Sequence, residues 1–123
     1  MKVVLIEQNP IMNKGFSLFL RNIKSIESVK SFTEFEHFLL SYSNITKQIY
    51  NVYILNISYL KPEQGIDYLR ILDSMVEGEI IIVIYEKHKP YFSNSSLIKN
   101  RIVFFQIENS LEKFGAIIQS FRA

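Results

Sequence analysis

Asn51-Val-Tyr-Ile-Leu-Asn56, continuing through Ser58 and then Tyr59-Leu-Lys-Pro-Glu-Gln-Gly65, decides how the chain is read. An apolar, β-favouring run ends at a short polar residue, Asn56. A loop carrying Pro62 and Gly65 follows, and a helical pattern begins behind it. An uninterrupted apolar run between turn signals suits a strand buried on both faces of a parallel sheet. Asn56 then stands at the carboxyl end of that strand, where open α/β sheets place their ligand sites. By itself an asparagine there reads as a side chain that caps the following loop.

The composition narrows what such a sheet can belong to. A chain of 123 residues, 48% hydrophobic and 14% aromatic, fits one domain with a real core, so residues 1–123 are expected to fold as a unit. No cysteine is present, which excludes disulfides and thiolate metal sites. A net charge of +2 is too small to imply nucleic-acid binding. No run approaches the ~18 apolar residues of a membrane span, and the first residues are not those of a signal peptide. A cytoplasmic protein without membrane contact is expected.

Outward from the central strand, the same alternation repeats. Lys2-Val-Val-Leu-Ile6 is a buried strand closing in Glu7-Gln8-Asn9-Pro10, with Asn9 a cap and Pro10 in the first helical turn. Ile11, Gly15, Phe16, Phe19, Leu20 and Ile23 recur at helical spacing. A weaker strand spans Glu27–Phe32. Thr33 and Glu36 then form a capping-box pattern ahead of Phe35, Phe38, Leu39 and Tyr42. Residues 42–50 read as a loop, which Ile45 and Ile49 can shorten by prolonging the helix. Ile66, Leu69, Leu72 and Met75 mark a helix stopped by Gly78. Ile80-Ile-Ile-Val-Ile84 is a fourth strand, and the polar stretch Tyr91–Asn100 allows only a short or irregular fourth helix. Ile102–Phe105 is a fifth strand. Asn109 and Glu112 form a second capping-box pattern before Leu111, Phe114, Ile118 and Phe121.

Strand then helix, five times over, predicts an α/β fold: a doubly wound, flavodoxin-like (βα)5 domain with a five-stranded parallel sheet in the order 2-1-3-4-5. Its crevice gathers strand ends carrying Glu7 and Gln8, Asn56, Tyr85 and Gln106.

The segments Val3–Pro10 with Gly15-Phe16, Asn51–Ile66 and Ile80–Tyr85 resemble the receiver domain of bacterial response regulators, most closely the receivers that precede a LuxR-type helix-turn-helix. In that family an acidic pair follows the first strand and a phospho-accepting aspartate ends the third. A Ser or Thr closes the fourth strand and a Lys the fifth. The resemblance carries the acidic pair onto Glu7 and Gln8, the acceptor onto Asn56, the hydroxyl onto Tyr85 and the lysine onto Gln106; a shift of one residue puts Glu86 or Phe105 at the last two. Val103 falls where the family often has a switching aromatic.

Those replacements remove the chemistry. An amide is a poor nucleophile, magnesium is held by hard anionic oxygens, and without metal and lysine nothing neutralises a transferring phosphoryl group. The resemblance therefore implies a non-phosphorylated pseudo-receiver: not an enzyme, with no catalytic residue, metal or cofactor, and with Glu7, Gln8, Asn56, Tyr85 and Gln106 as a vestigial pocket. Its expected partner is a second copy, met through the last two strands and helices, or a related regulator. DNA would be reached only through a domain that these residues do not contain. The alternative is a receiver whose neutral Gln8, Asn56 and Gln106 bind a small molecule. A third and weaker reading is an enzyme on the same fold, such as a flavin or nucleotide protein, for there is no G-x-G-x-x-G, no Gly-rich phosphate loop and no nucleophile–base pair. His37 and His88 lack metal-ligand spacing, and Lys87, His88 and Lys89 with Lys99 and Arg101 read as a solvated face.

Overall fold

Three apolar runs with no room for a solvated face form the middle of the sheet. They are β1 (Lys2–Ile6), β3 (Val52–Asn56) and β4 (Glu79–Ile84), each buried at nearly every position. A strand covered on both faces needs apolar residues at odd and even positions alike. The more polar β2 (Ser28–Phe32) and β5 (Arg101–Gln106) occupy the two edges. In this computed structural model, which describes residues 1–45, 50–92 and 101–121, all pairings are parallel and the order is β2-β1-β3-β4-β5, as the alternation predicts.

Successive residues of each inner strand face opposite layers. Val4, Ile6, Tyr53, Leu55, Ile80 and Ile82 pack with Phe35, Phe38, Leu69 and Leu72, from α2 (Phe35–Ile45) and α3 (Pro62–Met75). Val3, Leu5, Val52, Ile54, Ile81 and Val83 pack with Phe16, Leu20, Phe114 and Ile118, from α1 (Pro10–Arg21) and α4 (Leu111–Ser120). Register brings the strand ends level: Ile6 pairs with Leu55, Asn56 with Val83, and Ile84 with Gln106.

Asn9 caps α1 as expected, its Oδ1 accepting from the N–H of Ile11 at 3.0 Å and of Met12 at 3.1 Å. The two capping boxes are corrected. Helix α2 starts at Phe35, so Glu34 takes the cap position; its carbonyl accepts from Phe38 N–H, and its carboxylate pairs with His37 at 3.0 Å. At α4 the cap is Ser110, whose Oγ accepts from Lys113 N–H at 3.4 Å, and Asn109 holds the Lys113 ammonium instead. Gly78 does not stop α3, which ends at Met75 with Val76 already extended. Its φ of +140° and its approach to the Asn51 carbonyl make Gly78 the turn into β4. Ile11 and Leu111, expected on apolar faces, are exposed. After β4 comes a 3₁₀ segment, Glu86–Phe92. The rest of the expected irregular fourth helix, 93–100 with Lys99, lies outside the described residues, as does 46–49.

Candidate functional site

The carboxyl ends of β1 and β3 are neighbours, so the residue after β1 and the last residue of β3 meet. Glu7 is fully buried and Asn56 is 3% exposed. Asn56 Nδ2 donates to Glu7 Oε1 at 2.5 Å, while Asn56 Oδ1 accepts the N–H of Ser58 at 2.9 Å. The second bond settles the orientation of the amide, because a carboxylate can only accept and a backbone N–H can only donate. Asn56 therefore does two jobs: it turns the chain out of β3, as the loop-capping reading expects, and it ties β3 to β1.

Glu7 is held from its own side too. Its Oε2 accepts the N–H of Asn9 at 3.1 Å, and the Gln8 N–H also favours its charged form. Burial nevertheless dominates and pushes the Glu7 carboxyl above the ordinary carboxylate range, with the Asn56 bond working against it. No cationic side chain among the described residues pairs with it.

Residues that the sequence reading passed over complete the site. Asn13, on the buried face of α1, donates through Nδ2 to the carbonyl of Glu7 at 3.1 Å and of Phe32 at 3.0 Å, clamping the ends of β1 and β2. An asparagine amid an apolar helical stripe is the one signal that could have revealed it. Tyr59 follows the β3 turn, and its hydroxyl donates to Met12 Sδ. That hydroxyl titrates high, first from burial and then from the charges of Glu7 and Tyr85. The Ser58 hydroxyl is buried and has no partner among the described residues; nothing in the structure explains it.

Of the five expected pocket residues, a hydrogen bond joins Glu7 to Asn56. Glu7 and Asn56 form the floor and Gln8 lies half-buried beside them. Tyr85 follows β4 directly and packs edge-on against His88 at 5.9 Å, with the Lys87 ammonium 5.5 Å from its ring centre. Gln106 ends β5, with β4 between it and Asn56, which is two strand spacings or about 10 Å of backbone. It lines a different recess with Lys89, Asn109 and Lys113.

The magnesium that the resemblance brings with it does not fit this floor. Both Glu7 oxygens already accept hydrogen bonds, and Asn56 turns its N–H2 toward the carboxylate rather than offering it an oxygen-lined hole. No cluster of three or more acidic or histidine side chains among the described residues could hold a metal.

No protein-family profile matches the chain, and no curated protein matches it significantly in sequence. Solved structures do match in shape. A response regulator receiver domain protein from Bacillus halodurans superposes with a TM-score of 0.73 at 14% identity, over 100% of this chain and 97% of that one. A chain from the complex of the phosphorylated P1 domain of CheA3 with CheY6, from R. sphaeroides, superposes with a TM-score of 0.63 at 14% identity, over 99% and 97%. At that identity the shared property is the fold, and the fold is that of a receiver domain.

Proposed function

We propose that the chain is a pseudo-receiver: a regulatory, protein-interaction module of one domain, residues 1–123, that signals without accepting phosphate. The observation that carries this reading is the Asn56–Glu7 hydrogen bond. It fills the acceptor position with a neutral donor and uses up the one carboxylate that remains. A phosphoryl group entering there would meet a buried carboxylate and, among the described residues, no nucleophile and no neutralising cation.

The receiver fold and the chain's moderate charge favour protein partners over nucleic acid. The CheA3–CheY6 complex shows a related fold engaged with another protein. The partner proposed is a second copy, met through the last two strands and helices (β4 and β5 with the segment between them, and α4), or a related regulator. Service to a bacterial transcription factor is part of the proposal, with DNA contacted only by a domain outside this sequence. No helix among the described residues is long and apolar enough to cross a membrane, in keeping with a cytoplasmic regulator. A second reading, a receiver that senses a small molecule, draws support from the recess that Gln106 lines away from Asn56.

Incubation with acetyl phosphate and magnesium, followed by intact-mass measurement, tests the main reading. The mass is expected to stay unchanged; a phosphoryl adduct in the crevice overturns it.

A further inference from the structure

The recess beside Gln106 is a separate site with chemistry of its own. It lies between β5, α4 and the 3₁₀ segment and holds ≈400 Å³. That is within the range of small-molecule sites, roughly 300–1,000 Å³. Its walls are Phe104, Phe105, Ala116 and Ile117; Phe104 and Ile117 are only half-buried and so leave apolar surface facing open space. Two lysines from different elements stand on its rims, Lys89 from the 3₁₀ segment and Lys113 from α4. The Lys113 ammonium donates to Asn109 Oδ1 at 3.4 Å, which spends one of its three protons and steadies the head group. Lys89 and the Gln106 amide have no side-chain partner among the described residues. No carboxylate among the described residues lines the recess. The neighbouring Glu108 is engaged outside it, accepting the N–H of Glu86 at 3.2 and 3.3 Å.

We propose that this recess binds a small organic anion with an apolar body, such as an aromatic carboxylate. Phe104 and Ile117 take the body, Lys89 and Lys113 take the charge, and the Gln106 amide supplies a directional hydrogen bond. Each half alone is weak: an exposed ammonium holds a bare anion poorly in water, and a shallow apolar wall gains little from a neutral molecule. Together they select amphipathic anions. The site gives concrete form to the small-molecule reading, moves it away from Asn56, and does not depend on the crevice being silent.

The test is a titration of the ¹⁵N-labelled 123-residue protein with sodium 1-naphthoate, followed by amide chemical shifts. Saturable shifts are expected at Gln106, Asn109, Lys113 and Ile117. The neutral 1-naphthylmethanol is expected to bind at least about tenfold more weakly, inorganic phosphate not to saturate, and the Lys89→Gln/Lys113→Gln variant to lose about tenfold in affinity. The inference is overturned by equal binding of the alcohol, by saturation with phosphate alone, by undiminished binding in the variant, or by shifts centred on Glu7 and Asn56. A phosphoryl adduct on the crevice would leave the naphthoate result standing, and failure of naphthoate to bind would leave the crevice reading standing, so the two proposals fail separately.

Discussion

Asn56 sits between a donor and an acceptor, and only a group with one of each satisfies both. Asn56→Asp keeps the acceptor for Ser58 N–H and places a second carboxylate oxygen about where Nδ2 now stands, 2.5 Å from Glu7. Two buried carboxylates at that distance cannot both ionise, so they share a proton or recruit a cation. The variant is expected to lose roughly 2–4 kcal/mol at pH 7.5. It should recover much of this at pH 5 or with millimolar magnesium, as read by urea unfolding; a loss independent of both contradicts the geometry. Glu7 contributes a pH dependence to the parent protein. Its folded carboxyl titrates above its unfolded value because burial outweighs its hydrogen bonds. The folded state therefore favours the protonated form, and that contribution is complete below the unfolded pKa and lost as pH rises through the folded one. Urea midpoints of the parent protein are expected to fall, relative to those of Glu7→Gln, as pH is raised from the carboxylate range toward neutrality. A constant difference across that range would show that Glu7 titrates normally.

At the scale of elements, two glycines on helices have opposite surroundings. Nothing lies within 4 Å of a Cβ built on Gly15, in the middle of α1. Gly15→Ala is expected to stabilise the protein by about 0.5–1 kcal/mol, through helix propensity alone. A Cβ on Gly65, near the start of α3, meets Ile57 Cδ1 at 2.9 Å and Ile57 Cβ at 3.3 Å. Gly65→Ala is expected to cost roughly 1–3 kcal/mol by forcing α3 off the sheet end. Chemical unfolding of the two variants side by side checks the contrast, and a shift of the same sign in both refutes it. Helix α1 also carries the clamp, since Asn13 satisfies two strand-end carbonyls at once. Asn13→Ala strands both and is expected to cost about 1–3 kcal/mol.

For the whole molecule, the two proposals meet on one surface. A homodimer through β5 and α4 would cover the recess beside Gln106. A ligand that binds only the uncovered recess must then weaken the dimer by the factor by which the dimer weakens the ligand. Sedimentation velocity at micromolar protein, with and without 1-naphthoate, is expected to show a dimer that dissociates as naphthoate is added. A dimer indifferent to saturating naphthoate places the interface elsewhere.

Sheet order was legible in the chain because burial on two faces demands apolar runs such as Val3–Ile6 and Ile80–Ile84, and because strand–helix alternation admits few parallel topologies. Asn56 at its strand end and Asn9 as a cap were legible for the same reason: both are local, set by neighbours one to three residues away. The capping boxes each missed by one residue, since S/T-x-x-E spacing does not say which residue leaves the helix first. Only the tertiary structure decided which polar residues meet. Glu7 and Asn56, 49 residues apart, touch because β1 and β3 pair in register. Gln106 ends β5 and lines a recess with Lys89 and Lys113. Asn13 bridges two strand ends that no sequence spacing connects. Periodicity reports which face of an element is buried, but contact between polar ends depends on the lateral order and register of strands, which are properties of the assembled sheet.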